Sequence, residues 1–411
     1  MRLVSFIVWP ILCFFTFLKI KLKKSFADYC FNFHYQGSVG EKRRRIRRPE
    51  KTKNKHVKQR KLQSAPVFGK DTVNEKIYHY CVPFQSTDPA PKDTFVSSQT
   101  LNSFYTPLYK NKVRVFTQKG KTIENIMVAN FIPFNQMTTE KKNGWQKMVA
   151  FLLHRQNYNS EVSGKNGALM SGKMYAEGWR KAMVHNEIVG RYVNQAKLIK
   201  QMNNLKFNFD NEAEGFRDLG MFLSGEFKNV APGAHQSCKE FIQQRSIPSI
   251  TQLNYQEKNN YCPEDFCSAI TYTLDDFCNK AHCDNDTDNW TLIGFIPIEK
   301  GGLIATDGFD VKGGEFVLRD SRVFIDFKNI NGVVLLVLKT SKYTHQTNPS
   351  KSISGLYTRF AFSCQVSKKM CSSIEKYING EYEGKGMNFG NLFEYVIKAK
   401  NKSKIKIQNK K

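Results

Sequence analysis

The chain has 411 residues and a formal net charge of +27, long enough for one large domain or two smaller ones. Its ten cysteines include no C-x-x-C pair; the chain is neither small nor clearly secreted, which speaks against the disulfide framework of a small secreted domain, and no fixed period suggests a solenoid or propeller. The charge is uneven: residues 1–61 carry 17 Lys/Arg against 3 acids, residues 398–411 carry 7 Lys and no acid, and the 336 residues between hold only +6.

In chain order, residues 1–24 form an apolar N-terminal segment. Its run "LVSFIVWPILCFFTFL" (3–18) has 16 uncharged residues, short of the ~20 that a spanning helix needs. If it acts as an anchor, the Lys-rich stretch after it keeps the body on the cytoplasmic side. Residues 25–65 read as a basic disordered linker. Its block "KRRRIRRPEKTKNKHVKQRK" (42–61) has the composition of a self-repelling arm that binds phosphates or directs the chain to the nucleus.

Residues 66–230 read as a mixed, mainly helical support region. "KVRVFTQ" (112–118) alternates like a strand. From Thr139, a potential N-cap, apolar residues recur at helical spacing through "EKKNGWQKMVAFLLHRQ". The longest helical pattern runs over 172–205, interrupted near Gly190, and a shorter one over 212–227. Residues 231–385 turn β-rich: "WTLIGFIPI" (290–298), "GGEFVLRD" (313–320), "SRVFIDF" (321–327), "NGVVLLVLKT" (331–340) and "GLYTRFAFSCQV" (355–366) are short strands set off by Gly, Asp and Asn turns. Residues 386–411 read as a basic C-terminal tail. The fold class is therefore α+β, a β-rich catalytic core with an N-terminal helical support layer.

The chemistry concentrates in "FCNKAHCDNDTDNW" (277–290). Cys262, Cys267, Cys278 and Cys283 are spaced C-x4-C-x10-C-x4-C, the wide end of what structural zinc tolerates; free cysteines are more often small core residues. His282 and Asp284 form the sharper pattern. On an extended strand, positions i and i+2 share a face, so imidazole and carboxylate converge while Cys283 turns away. A two-histidine, one-carboxylate iron site needs a distant third ligand. His345, in "KYTHQT" after the β run 331–340, is placed to supply it. His185 and Glu187 also form an H-x-E pair, but in a helical pattern such side chains diverge. The sequons at Asn285 and Asn289 flank the same site, where a glycan would obstruct it.

Arg359 follows on "YTRFAFS". An arginine facing into a barrel needs an anion, and a dicarboxylic co-substrate offers one that guanidinium can grip bidentately. Asn279 and Asp286 flank the metal motif, as substrate contacts or as turn and capping residues. Trp290 and Phe295 offer stacking surface, though core packing is their ordinary role.

The order H-x-D, a Gly-Gly strand, a distal His and then Arg resembles the 2-oxoglutarate- and Fe(II)-dependent dioxygenases. Within them it resembles the TET-like oxygenase domain proteins of basidiomycete fungi, relatives of the TET/JBP group. The stretches "GKMYAEGWRKAM", "DDFCNKAHCDND", "DGFDVKGGEFVL", "IDFKNINGVV", "KTSKYTHQT" and "YTRFAFSCQV" carry the likeness, within residues 125–385. The resemblance implies a double-stranded β-helix (jelly-roll) core. It implies Fe(II) on His282, Asp284 and His345, 2-oxoglutarate held by Arg359, and O2 as the second co-substrate. It points to 5-methylcytosine in DNA, flipped out of the duplex to reach the iron, and to a nuclear protein. No protein partner is inferred.

Overall fold

The computed structural model describes residues 77–82, 94–119, 122–162, 169–256, 262–287 and 289–408. The apolar run 3–18 and the basic arm 42–61 lie outside the described residues. No described helix is long and apolar enough to cross a membrane.

The chain opens with β1 (Ile77–Cys81), α1 (Ser98–Phe104), β2 (Thr106–Leu108), β3 (Lys112–Lys119) and β4 (Thr122–Pro133). Next come α2 (Thr139–Arg155), β5 (Leu169–Lys181), β6 (Glu187–Arg191), α3 (Gln195–Asn203), α4 (Phe209–Val230) and α5 (Pro232–Gln244). The β-rich part holds β7 (Ala269–His282), β8 (Thr291–Glu299), β9 (Val311–Gly313), β10 (Phe316–Leu318), β11 (Val323–Ile325), β12 (Gly332–Leu338), β13 (His345–Thr347), β14 (Ser350–Ser352) and β15 (Tyr357–Gln365). The chain closes with α6 (Lys368–Ile378), β16 (Asn388–Gly390) and α7 (Leu392–Gln408).

Eleven strands follow one path, β1-β3-β4-β12-β8-β15-β7-β13-β10-β11-β2, with β5 and β6 branching from β7 and β16 added to β6. The sheet is curled, because its two arms share one core. Val115, Met127, Phe295 and Val334 from one arm pack with Phe316, Leu318, Val323 and Ile325 from the other. The arrangement is compatible with the jelly-roll core expected from the sequence. On the outer face, Trp145 of α2, Phe216 and Phe227 of α4 and Cys238 of α5 pack on Leu335, Phe360 and Phe362. β15 reads both environments in turn: Thr358, Phe360, Phe362 and Cys364 are buried, while the residues between them are half-buried, as a period of two requires.

Local chemistry sets the element ends. Asn208 caps α4 by accepting from the Asp210 and Asn211 amides. Pro232 has no amide hydrogen to continue α4, and its fixed φ starts α5 instead. The N-cap of α2 is Thr138, one residue before the expected Thr139.

Residues 66–230, expected to be mixed and mainly helical, hold strands as well as helices, and α2 and α4 pack on the sheet to which the same region contributes strands. β3 and β4 belong to the curled sheet, and the long pattern over 172–205 is β5, β6 and only then a helix. Gly172 and Gly178 take positive φ, and a helix interior disfavours both glycine and that conformation. His185 sits exposed in the turn before β6, while Glu187 is buried and accepts from Tyr395 Oη at 2.8 Å. They form no metal pair because His185 stands exposed in the turn while Glu187 is turned inward to Tyr395, and helical divergence is not the reason. Part of the expected basic tail is β16 and the docked helix α7.

β7 is the structural pivot. Its first half pairs with β15 and its last residues pair with β13. Between the two halves, Asp275 and Asp276 both adopt left-handed φ, 58° and 59°, conformations that Asp tolerates better than most residues. The Asp275 amide donates to Thr358 Oγ1 at 2.8 Å, and its carboxylate holds Lys173 Nζ at 2.7 Å. Gly172 faces this bend: a Cβ there would lie 2.3 Å from the Phe277 Cα. Gly172→Val is therefore expected to cost about 2 kcal/mol or more of stability, read by urea unfolding.

His235 is buried on α5, hydrogen-bonded to Ser224 Oγ at 2.8 Å and 3.1 Å from the Glu264 carbonyl. Burial is the main cause that pushes its pKa down to about 4. The unfolded chain takes up this proton near the ordinary ~6.5, so acidification favours unfolding from there down to pH 4. This residue is expected to remove about 3 kcal/mol of stability over that window and nothing above it. Urea titrations of wild type and His235→Gln at pH 7.5 and 5 check it: the variant should lack this part of the acid sensitivity.

Candidate metal centre

The bend in β7 carries His282 to the register position opposite His345 on β13. Asp284 follows on the loop, where its amide donates to the Thr340 carbonyl at 3.0 Å. The Asp284 Oδ1 lies 3.5 Å from His282 Nε2 and 4.0 Å from His345 Nε2. One ligand atom from each of the three residues falls within 4.8 Å of the others, and no other such group of three occurs among the described residues. Cis ligands around a first-row cation with bonds of ~2.1 Å sit about 3 Å apart, so a small closure of these side chains would complete the set.

The outer contacts fix each imidazole. His282 Nδ1–H donates to the Lys280 carbonyl at 2.7 Å, and His345 Nδ1–H donates to the Tyr343 carbonyl at 3.0 Å. A carbonyl can only accept, so both rings hold their proton on Nδ1 and turn Nε2 toward Asp284. This is how metal-binding histidines are usually oriented. Burial alone would raise the Asp284 carboxyl, but the hydrogen bond to His282 and the nearby His345 hold it below its usual range. Burial alone would lower His282; the Asp284 carboxylate and the Lys280 carbonyl outweigh it and raise it. His345 is deeper, and burial lowers it despite Asp284. A low-pKa carboxylate beside two oriented nitrogens is a donor set that suits a divalent cation.

Two residues that were not singled out in the sequence complete this shell. Gln365 Nε2 donates to Asp284 Oδ2 at 3.4 Å, and Phe316 lies 5.6 Å from the His345 ring. The alternation of β15 would have found the first, because Gln365 shares a face with Arg359. Asn279 proves to be a strand bridge: its Oδ1 accepts from the Thr347 amide at 2.8 Å, and its Nδ2 lies 3.4 Å from His282 Nε2. Asp286 is buried, with one carboxylate oxygen lacking a partner. Burial and then Asp284 push its pKa up to about 7.

Arg359 is not in contact with the three ligands. It projects from the inward face of β15, three inward positions from Gln365. Its guanidinium lies 4.0 Å from the Phe327 ring centre, and Nη1 donates to the Gly313 and Gly314 carbonyls at 3.1 and 3.4 Å. Gly314 takes a φ of +76°, which favours glycine, and a Cβ there would sit 2.1 Å from Nη1 and displace the guanidinium. Nη2 is buried without a partner. Burial lowers the guanidinium pKa to about 10, with Glu315 and Asp276 opposing. Ser363 Oγ, on the same strand face between Arg359 and Gln365, is likewise buried without a partner. Phe295, 5.5 Å from Phe316 and 4.9 Å from Phe327, links the two ends of this interior.

The four cysteines weighed for zinc do not assemble. Cys267 and Cys278 are buried, Cys262 is half-buried and Cys283 is exposed. Cys278 Sγ lies 3.0 Å from Ser171 Oγ, and Cys283 Sγ lies 3.8 Å from Thr344 Oγ1. Trp290 packs against the outer core with Lys339 Nζ 5.5 Å from its ring centre. Phe295 is part of the core enclosed by the curled sheet.

The sequence profile of the Tet-like 2OG-Fe(II) oxygenase superfamily matches residues 138–350. No curated protein matches the chain. The matched stretch is more than half of the chain and contains all three facing ligands; the chain belongs to the Tet-like 2OG-Fe(II) oxygenase superfamily.

Proposed function

We propose that the protein is an Fe(II)- and 2-oxoglutarate-dependent dioxygenase that oxidises 5-methylcytosine in DNA. The observation that carries this reading is the meeting of His282, Asp284 and His345, with both imidazole Nε2 atoms turned to one carboxylate. Three protein ligands leave room for a co-substrate and dioxygen. The bound iron, with these two, supplies oxidative decarboxylation of 2-oxoglutarate to succinate and CO2, and one oxygen atom for a C–H bond.

The chain's own groups do the rest. The Lys280 and Tyr343 carbonyls hold the two rings in the ligating tautomer. Gln365 orients the Asp284 carboxylate. Arg359 takes the far carboxylate of 2-oxoglutarate on its unpartnered, buried Nη2, a charge-assisted contact. Ser363 Oγ offers a further hydrogen bond along the same face. Phe295, Phe316 and Phe327 exclude water from the interval.

Recognition of the base follows from the mouth. His282 and Asp284 retain 25% and 18% side-chain exposure against 6% for His345, so a substrate approaches from their side. A methyl carbon inside a stacked duplex cannot reach them, so the base must flip. Asp286 has a buried acceptor oxygen two residues from the metal ligand, and a carboxylate accepts from the exocyclic amine of cytosine.

Aerobic incubation with Fe(II), 2-oxoglutarate and a duplex containing 5-methylcytosine is expected to give hydroxymethylated base by nucleoside mass spectrometry, with matching succinate. Succinate without base oxidation would move the substrate elsewhere, and parallel methylated RNA and histone peptides would locate it. His282→Ala and Asp284→Ala should each reduce succinate to background; unchanged turnover would refute the metal assignment. Arg359→Gln is expected to raise the KM for 2-oxoglutarate about 10- to 100-fold, the loss of one charge-assisted contact. Gln365→Ala should weaken Co(II) binding about 10-fold in a spectroscopic titration.

A further inference from the structure

The surroundings of Arg359 carry more negative charge than one guanidinium balances. Glu315 and Asp276 both lie within electrostatic reach of it. Neither is its hydrogen-bond partner among the described residues. Nη1 is taken by the Gly313 and Gly314 carbonyls, and Nη2 is buried without a partner. Glu315 Oε2 instead accepts from Asn348 Nδ2 at 3.2 Å. Asp276 is left with a buried Oδ1 that has no partner.

The path of the chain puts both acids there. β7 and β15 pair in antiparallel register up to Thr273 and Ala361. The next link is the Asp275 amide on Thr358 Oγ1 at 2.8 Å. Arg359 therefore stands across the strand pair from the bend at Asp275 and Asp276. Asp275 engages Lys173 Nζ at 2.7 Å. The Asp276 carbonyl accepts from Ser171 Oγ at 2.9 Å, and its φ is 59°, so β5 pins the backbone that carries this carboxylate. Glu315 follows Gly314, whose carbonyl holds Nη1, and precedes β10. One acid thus comes from β7 and the other from the β9–β10 connection.

A diacid whose far end reaches Nη2 brings a third carboxylate to this one guanidinium. An ionised carboxylate only accepts hydrogen bonds, so neither acid can compensate by donating to it, and like charges at this range oppose its entry. A neutral far end meets no such opposition. We infer that Asp276 and Glu315 are specificity-determining residues for the co-substrate, whose charge weakens the hold of Arg359 on the far carboxylate. They act through Arg359 and the diacid, not on the metal ligands. A clamp weakened in this way stays unsaturated over a wider range of diacid concentration, so turnover follows the supply. The inference rests on the reading that Arg359 takes the far carboxylate of 2-oxoglutarate.

Asp276→Asn and Glu315→Gln each remove one charge and keep the shape, and asparagine tolerates left-handed φ as aspartate does. The full-length chain loaded with Co(II) is titrated with 2-oxoglutarate by isothermal calorimetry. Each variant should bind it about 3- to 10-fold more tightly than wild type. 2-Oxopentanoate keeps the keto-acid end and lacks the far carboxylate, so wild type and variants should bind it alike. Asp218→Asn, at an exposed acid of α4, is the control and should change neither affinity. Unchanged or weaker 2-oxoglutarate binding in both variants would overturn the proposal. Tightening in one alone keeps it for that residue and removes the other. Equal tightening for 2-oxopentanoate would also overturn it, because a change in the shape of the site would then be the cause. Arg359→Gln separates the two readings. If it weakens 2-oxoglutarate binding while the acid variants do nothing, only this inference falls. If it has no effect, the clamp reading falls and this inference with it.

Discussion

Everything at the metal centre depends on a single bent strand. β7 begins in one arm of the curled sheet beside β15 and ends in the other beside β13. Without the two left-handed aspartates, the strand would continue straight and His282 would lie far from His345. The bend has an anchor on each side: the Asp275 amide on Thr358, and the missing side chain of Gly172 on β5. A strained pair of residues is thus held by its surroundings, which is the usual condition for strain to persist at a site.

The second constraint is a matter of tautomers. An imidazole can present either nitrogen, and free rotation would make the three ligands a matter of chance. Both rings are instead tied through Nδ1 to backbone carbonyls two residues earlier in the chain, at Lys280 and Tyr343. Because these are main-chain groups, the orientation is encoded by strand geometry and is insensitive to the identity of those residues. Asn279 adds a side-chain tie between β7 and β13 across the irregular part of the pairing. The histidines are therefore set by the same register that joins the two arms of the curled sheet.

The grouping of His282, Asp284 and His345 was legible in the sequence for a simple reason. H-x-D is a short-range pattern whose meaning depends only on strand alternation, and His345 follows a run, 332–338, too apolar and β-branched to be misread. Arg359 was legible by the same alternation. Gln365 obeys it equally and was passed over because an amide gives no chemical alarm. The stretch 172–191 misled, since its apolar residues fit both periods and the deciding fact, positive φ at two glycines, comes from contacts with β7 and Ser268. α7 was hidden by its lysines: Leu392, Tyr395, Val396 and Ala399 have helical spacing and are all buried, yet the charge of the segment suggested a tail.

The three ligands are unequally buried. His345 is nearly sealed beneath Phe316, while His282 and Asp284 border the solvent side. Arg359 stands half-buried on the same strand face as Gln365, against Phe327, and Phe295 lies between that ring and Phe316. Aromatic rings therefore wall the inner side of the ligand group, and its open edge is the one formed by His282 and Asp284. The depth of each ligand follows from its element: His345 is held within β13 between two strands, whereas Asp284 stands on the loop that leaves β7.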